Sequence, residues 1–581
     1  MPTIIAQLTE RFAAAIHAAF GIEADPLIGP SQNPQFGDYQ SNAAMPLAKK
    51  LGQKPREIAE QIKAKVALGD IAQALTIAGP GFINVTLSHA WLAQELQRIE
   101  SNRHLGIDAA PKPQRVVVDY SGPNVAKEMH VGHLRSTIIG DAISRVLEFQ
   151  GHTVIRQNHV GDWGTQFGML IAFIERQNRP AGADAKLPEL EELYRAAKKK
   201  FDDDPGFAET ARQAVVHLQG GQPQALGAWK SICAMSRAHY QALYERLGVK
   251  LTPADERGES AYNADLPAVV TELKQKGLAE TSDGATVVFI DGREKPPMIV
   301  QKGDGAFLYS TTDLAAIRYR ANDLHANRIV YVHDSRQVHH FAQLFAVAKK
   351  AGWAENVSLE YAPFGTMLGE DGKPFKTRSG DLVKLDNLLT EATDRALRVV
   401  EAKNPQASNK TAIANAVGIG AVKYSDLAKD RVADYVFSFD KMLALDGNTA
   451  PYLQYAHARI RSIFRKAREL SPSPCTQGEG RGEGSATSPS AIPLESPFEL
   501  ALAKHILRLG ECLDMVARDL KPHLLCTYLY DLAVKFSGFY ENCQVIKDGI
   551  VDRGRLALCQ LTAITMATGL DLLGIQHPDQ M

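Results

Sequence analysis

Apolar residues at helical spacing open the chain: Ile5, Leu8, Phe12, Ile16 and Phe20 predict a helix over 3–20. A second such pattern covers 55–68, beyond the polar turn Asn33–Asp38. Gly79-Pro80-Gly81 then leads into the strand-like Phe82–Leu87, so residues 1–110 read as a small α/β unit. Pro111 and Pro113 mark the linker behind it.

The texture changes at Val116-Val117-Val118, a β-branched run of the kind buried in parallel sheets. A helical stretch near 133–150 and a second strand, His152–Arg156, complete a βαβ unit. Residues 165–285 interrupt it with mainly helical patterns, in which Lys198–Lys200 beside Asp202–Asp204 reads as a solvated helix end. Strand patterns resume at Thr286–Ile290, Ile329–Val332 and Leu359–Leu368. The predicted architecture is a Rossmann-type α/β domain, 111–164 and 286–390, split by a helical insertion. An all-α region over 391–581 follows, with clear periodicity in Leu502, Ile506, Leu509 and Leu513. Within it, 471–496 is rich in Ser, Pro, Gly and Glu, has little to bury, and reads as a surface loop.

Hydrophobic residues make up 45% of the 581 positions and charged ones 23%, which excludes a disordered regulator and a small disulfide scaffold. Lys and Arg number 65 against 66 Asp and Glu, so a polyanionic partner has to meet a local patch on a neutral body. The six cysteines show no Cys-x-x-Cys spacing, so neither a zinc ribbon nor a disulfide framework is expected. No apolar run reaches the ~18–20 residues that span a bilayer. The amphipathic N-terminus also lacks the cationic start of an export signal, so a cytoplasmic protein is expected.

The chemistry concentrates in Asp119-Tyr-Ser-Gly-Pro-Asn124-Val-Ala-Lys127-Glu-Met-His130-Val-Gly-His133-Leu-Arg135. His130 and His133 stand where a strand end passes into a helix N-terminus, whose free amides and positive dipole end suit an anion. Gly132 lets a flat ligand approach the backbone, and Lys127 adds a mobile positive charge. Taken alone, the two histidines could equally be a core or capping pair. A metal site is not expected, because no third fixed ligand accompanies them. At the far end of the split sheet lies Gly372-Lys373-Pro374-Phe375-Lys376-Thr377-Arg378-Ser379-Gly380, a glycine-bounded basic loop. Across a Rossmann crevice the two elements make a two-sided phosphate clamp.

With these residues in place the sequence resembles the class I aminoacyl-tRNA synthetases, and over nearly its whole length the arginyl enzymes among them. His130-Val-Gly-His133 matches the family's HIGH element, and Lys376-Thr-Arg-Ser-Gly380 occupies the place of its KMSKS element. Ser121–Thr137, Gly161-Asp-Trp-Gly164 with Gln166-Phe167-Gly168, Gly447–Arg459 and Leu572-Leu-Gly-Ile575 fit the arginyl enzymes in particular. One departure is Ser379, where the consensus has its second lysine. The resemblance implies that Lys127, just upstream of the HIGH element, substitutes for it.

The resemblance also implies an activity and its parts. Arginine is joined to ATP, with Mg²⁺, and passes through an adenylate to the 2′-OH of the terminal ribose of tRNA(Arg); the first step needs bound tRNA. His130, His133, Lys127 and Lys376 are the implied catalytic donors, and with Gly132 and Arg378 they bind ATP. Asp119, Asn124, Tyr309, Asp313 and Gln337 line the implied arginine site. A guanidinium, a planar fork of five donors, calls for fixed oxygens of this kind. The helical C-terminal part resembles an anticodon-binding domain. Tyr452, Tyr455 and Arg459, at i, i+3 and i+7, can stack unpaired bases or pack into the core. Met581 is implied near the same loop, and Phe82 and Asn84 at the tRNA elbow. A monomer is expected. Two other readings are a small-molecule nucleotidyltransferase, which predicts a shorter chain, and a silent RNA-binding paralogue, which predicts erosion of His130, His133 or Lys376.

Overall fold

The computed structural model describes residues 2–100, 102, 104–176, 187–376, 383–403, 405–406, 408–470, 492 and 494–581. Arg378 and nearly all of the loop predicted over 471–496 lie outside the described residues.

The N-terminal helix Ile4–Phe20 is capped by the Thr3 hydroxyl and buries Leu8, Phe12 and Ile16. The unit's strands lie in the order Ile28–Pro30, Tyr39–Ser41, Phe82–Leu87, Ala72–Ala78, all antiparallel. Asn84 is 2% exposed, its Oδ1 accepting from Gln40 Nε2 at 2.7 Å. The period-2 alternation of the strand sets it on the face of Phe82 and Thr86, opposite the core-facing Ile83, Val85 and Leu87. Phe82 is half-buried, its ring close against Gly79.

The central sheet has four parallel strands in the spatial order Ser358–Tyr361, Arg328–Tyr331, Arg115–Asp119, Thr153–Gln157. Val116, Val117 and Val118 are fully buried, as a sheet covered on both faces requires. The helix Val131–Phe149 connects one outward pair of strands and Val338–Lys350 the other. The connections leave the two middle strands in opposite directions, and a crevice opens at the carboxyl ends of Arg115–Asp119 and Arg328–Tyr331.

Two predicted strands belong elsewhere. Thr286–Ile290 is not part of the central sheet. Ala285–Val288 pairs antiparallel with Glu280–Ser282 and Met298–Gln301 in a sheet of its own, so the boundary at 285 cuts through a hairpin. Its turn, Asp283-Gly284, has φ of 49° and 80°, the left-handed pair that closes a two-residue hairpin. Leu359–Leu368 divides into Ser358–Tyr361 and Met367–Leu368, and the latter pairs with Tyr435–Val436. The insertion is helical over Thr165–Arg176, Leu187–Asp203, Pro205–Gln219 and Pro223–Leu247. Lys198 and Lys200 pair there with Asp202 and Asp204 on the surface. Among the described residues beyond Leu385 the regular elements are helices apart from Tyr435–Val436 and the hairpin Ile546–Lys547/Ile550–Val551.

Candidate active site

From Asp119 the chain turns through Ser121 and Gly122, at φ of 75° and 55°, and the helix Val131–Phe149 begins. Its own histidines cap it. His130 Nδ1 accepts from the Gly132 amide at 3.0 Å, and His133 Nδ1 from the His130 amide at 3.1 Å. A backbone N–H can only donate, so each neutral ring carries its proton on Nε2. Burial, then Lys127, hold His130 below its ordinary pKa; burial, His130 and Lys127 bring His133 down to about 3. Both rings are therefore neutral donors at pH 7. Capping is thus the task of Nδ1 in both rings, and it leaves Nε2 of each uncommitted to the helix. A Cβ on Gly132 would stand 2.8 Å from His130 Cε1, so this glycine keeps the ring in place.

The chain leaving the basic loop returns onto this cap. Val131 N donates to Val383 O at 3.1 Å and Leu385 N to Met129 O at 2.9 Å, around a bridge between His130 and Lys384. The structure thus brings the flank of the basic loop against the His-x-Gly-His element. Lys376, the last described residue on the approach to the loop, is exposed. Lys127 is also exposed, its Nζ 5.2 Å from the centre of the Tyr194 ring.

Tyr309 and Asp313 share one face of the helix Tyr309–Asn322, as their spacing predicts. Tyr309 is exposed, its ring centre 5.0 Å from that of His340. Asp313 Oδ2 lies 2.6 Å from His340 Nε2 and Oδ1 3.7 Å from His159 Nε2. Asn124 is exposed and bridges to Gly161; Gln337 ends the turn Ser335–Gln337 and is exposed too.

Asp119 departs from expectation. It is 2% exposed, with Oδ2 accepting from Arg320 Nη2 at 2.6 Å and Oδ1 3.3 Å from His333 Nε2. Burial pushes its carboxyl up, but Arg320 and His333 outweigh burial and hold it well below the usual carboxylate range. This carboxylate already holds a guanidinium, that of the chain's own Arg320. Glu259 is half-buried, and burial, Asp313 and Asp162 raise its carboxyl to about 8. Burial, with Asp313 and Asp162 adding to it, thus keeps this carboxyl largely protonated at neutral pH.

The catalytic-domain model of class I tRNA synthetases of the arginine type matches residues 95–439. The arginyl tRNA synthetase N-terminal model matches 6–87, and the DALR anticodon-binding model 453–581. The chain belongs to the arginyl-tRNA synthetases. It is 52% identical to an arginine–tRNA ligase of Cellvibrio japonicus over 99% of both chains, and 50% identical to one of Laribacter hongkongensis over the whole of both. Among solved structures, the arginyl-tRNA synthetase of Plasmodium falciparum superposes with a TM-score of 0.85 at 31% identity, covering 100% of both chains. That of Thermus thermophilus superposes at 0.81 and 26%, also over 100% of both. As a class I enzyme of this family, the synthetase charges tRNA with arginine at the expense of ATP.

In the anticodon-binding domain, the helix Ala450–Leu470 carries Tyr455 exposed, while Tyr452 packs 5.8 Å from the Tyr530 ring and Arg459 lies over Tyr540 at 4.6 Å. Tyr455 and Met581 line one apolar cleft of about 420 Å³ with Val399, Val417 and Leu445. Arg461 is taken up by Asp579, and Arg465 by its carbonyl, so these cations fasten the C-terminal tail. Among the described residues no helix is long and apolar enough to cross a membrane. Sequence reasoning missed Arg320, His159, His333, His340 and Glu259. Only His333 carried a usable signal, since it follows a predicted parallel strand at its carboxyl end.

Proposed function

We propose that the crevice activates arginine by in-line attack of its carboxylate on the α-phosphate of ATP, and that the adenylate passes to the 2′-OH of the terminal ribose of tRNA(Arg). The observation that carries this reading is the neutral histidine cap on the helix that follows the central strand Arg115–Asp119, with the flank of the basic loop held against it. The substrate carboxylate is ionised at neutral pH, so the first step needs no general base. It needs donors for the charge growing on phosphate oxygens. His130 and His133 supply them through Nε2–H, and Lys127 and Lys376 supply mobile positive charge. Gly132 and Arg378 complete the ATP site. The guanidinium is seated by Asp313, with Glu259 alongside and Tyr309, Asn124 and Gln337 at the rim, over the floor set by Asp119 and Arg320.

Among the described residues no three His, Cys, Asp or Glu side chains are grouped to hold a metal ion. Mg²⁺ enters as part of the substrate, carried on the ATP phosphates. The anticodon loop is read by Tyr452, Tyr455, Arg459 and Met581, of which Tyr455 offers the open ring. Phe82 touches the tRNA elbow. tRNA binding precedes adenylate formation. The enzyme works as a monomer in the cytoplasm, one chain carrying both the crevice and the RNA-reading domain. ATP-dependent charging of tRNA with each amino acid in turn tests the reading. Arginine alone should be esterified; lysine, which lacks the planar fork, should fall short by about 10²–10³-fold. Charging by lysine at a comparable rate would overturn the assignment of the pocket.

A further inference from the structure

We infer that Lys384 is a positioning residue for ATP use: it neutralises the carboxylates of Glu128 and Glu191 and so leaves Lys127 free for the phosphates. Lys384 follows the basic loop directly and is held by the strand-like pairing to Met129–Val131. Its Nζ contacts Glu128 and lies 3.8 Å from Glu191 Oε2. Arg195 meets Glu191 from the other side at 2.8 Å. Two carboxylates thus face two cations, and the group is closed without Lys127.

Lys127 stands next in sequence to Glu128, and Tyr194, over which it rests, is three residues from Glu191 on the same helix. Even so, among the described residues Lys127 makes no ion pair and rests over the ring of Tyr194. A cation over an aromatic face in a solvated crevice is held by about 0.5–1 kcal/mol, weakly enough to leave when a triphosphate arrives. Without Lys384, Glu128 and Glu191 would hold an uncompensated negative charge within reach of Lys127, and the triphosphate would compete with it for that lysine. The inference rests on the reading of Lys127 as a phosphate ligand.

The test is steady-state charging of tRNA(Arg) by the full-length enzyme with ATP as the varied substrate. Lys384→Met should lower kcat/KM for ATP by about 10–100-fold, the scale of one unbalanced charge a few ångströms away in a partly solvated site. The KM for arginine should stay unchanged. Lys384→Arg should retain most of the activity. The deciding variant is Lys384→Met combined with Glu128→Gln and Glu191→Gln, which removes the captors and should restore ATP use to within about fivefold. No effect of Lys384→Met, or a loss that the glutamines do not relieve in a protein with wild-type circular dichroism, would overturn the inference. Lys127→Ala run alongside separates the two readings: unimpaired ATP use in that variant would refute the role of Lys127 itself.

Discussion

Replacing Asp119 by Asn removes one charge of an ion pair that has almost no access to water. The two side chains are 3% and 1% exposed and 2.6 Å apart, and Arg320 Nε also donates to Gln157 Oε1 at 2.5 Å. Arg320 has no second carboxylate within ion-pair distance among the described residues, so the variant buries an uncompensated guanidinium. Breaking such a pair costs about 3–5 kcal/mol, a large share of the roughly 5–15 kcal/mol that separates folded from unfolded domains. Urea denaturation followed by circular dichroism should show the unfolding free energy lowered by that amount. Asp119→Asn combined with Arg320→Met should recover most of the loss, because a neutral, apolar pair needs no counter-charge. The pH dependence has a definite sign. A carboxyl held below its unfolded pKa contributes its stability above about 3.9 and loses it as pH falls through the folded value, so the pair should still be intact at pH 4. A loss under about 1 kcal/mol for Asp119→Asn, or a double variant no better than the single, would refute the view of Asp119 as a floor.

Arginine affinity should fall as pH drops below about 8, by up to tenfold per unit; the guanidinium needs Glu259 ionised and its carboxyl titrates there. Calorimetric Kd values between pH 6.5 and 9 check this, and Glu259→Gln should flatten the curve. Gly132→Ala should push the His130 ring aside and cost kcat about 10²–10³, the scale of one lost transition-state donor; thermal melts should stay close to wild type. Acid should destabilise the fold through buried neutral histidines. His133 and His505 titrate at about 3 and about 4 in the fold but near 6.5 unfolded. Below pH 6.5 each costs up to about 1.4 kcal/mol per unit until its folded value is reached, readable as a falling urea midpoint from pH 7 to 5. Deleting Met581 opens the cleft beside Tyr455 and should raise the KM for tRNA while the KM for arginine holds.

The parts of this molecule that were legible in the sequence are those written locally. Val116–Val118 announces a buried strand by composition, and His130-Val-Gly-His133 announces a helix start by position. Tyr309 and Asp313 share a face because four residues make about one turn. The misplaced strand Thr286–Ile290 looks the same from within as a central one; only the Asp283-Gly284 turn marks it as half of a hairpin. Asp119 shows the other limit. Its partners come from positions 320 and 333, 201 and 214 residues away. No pattern near Asp119 distinguishes a carboxylate open to a ligand from one already holding an arginine.

The most direct measurement is a crystal structure of the synthetase with arginine and a non-hydrolysable ATP analogue. The account requires the guanidinium at hydrogen-bond distance from Asp313, with Asp119 still on Arg320 and the phosphates against Nε2 of His130 and His133. A guanidinium seated on Asp119 in place of Arg320, or a triphosphate bound away from the histidine cap, would contradict it.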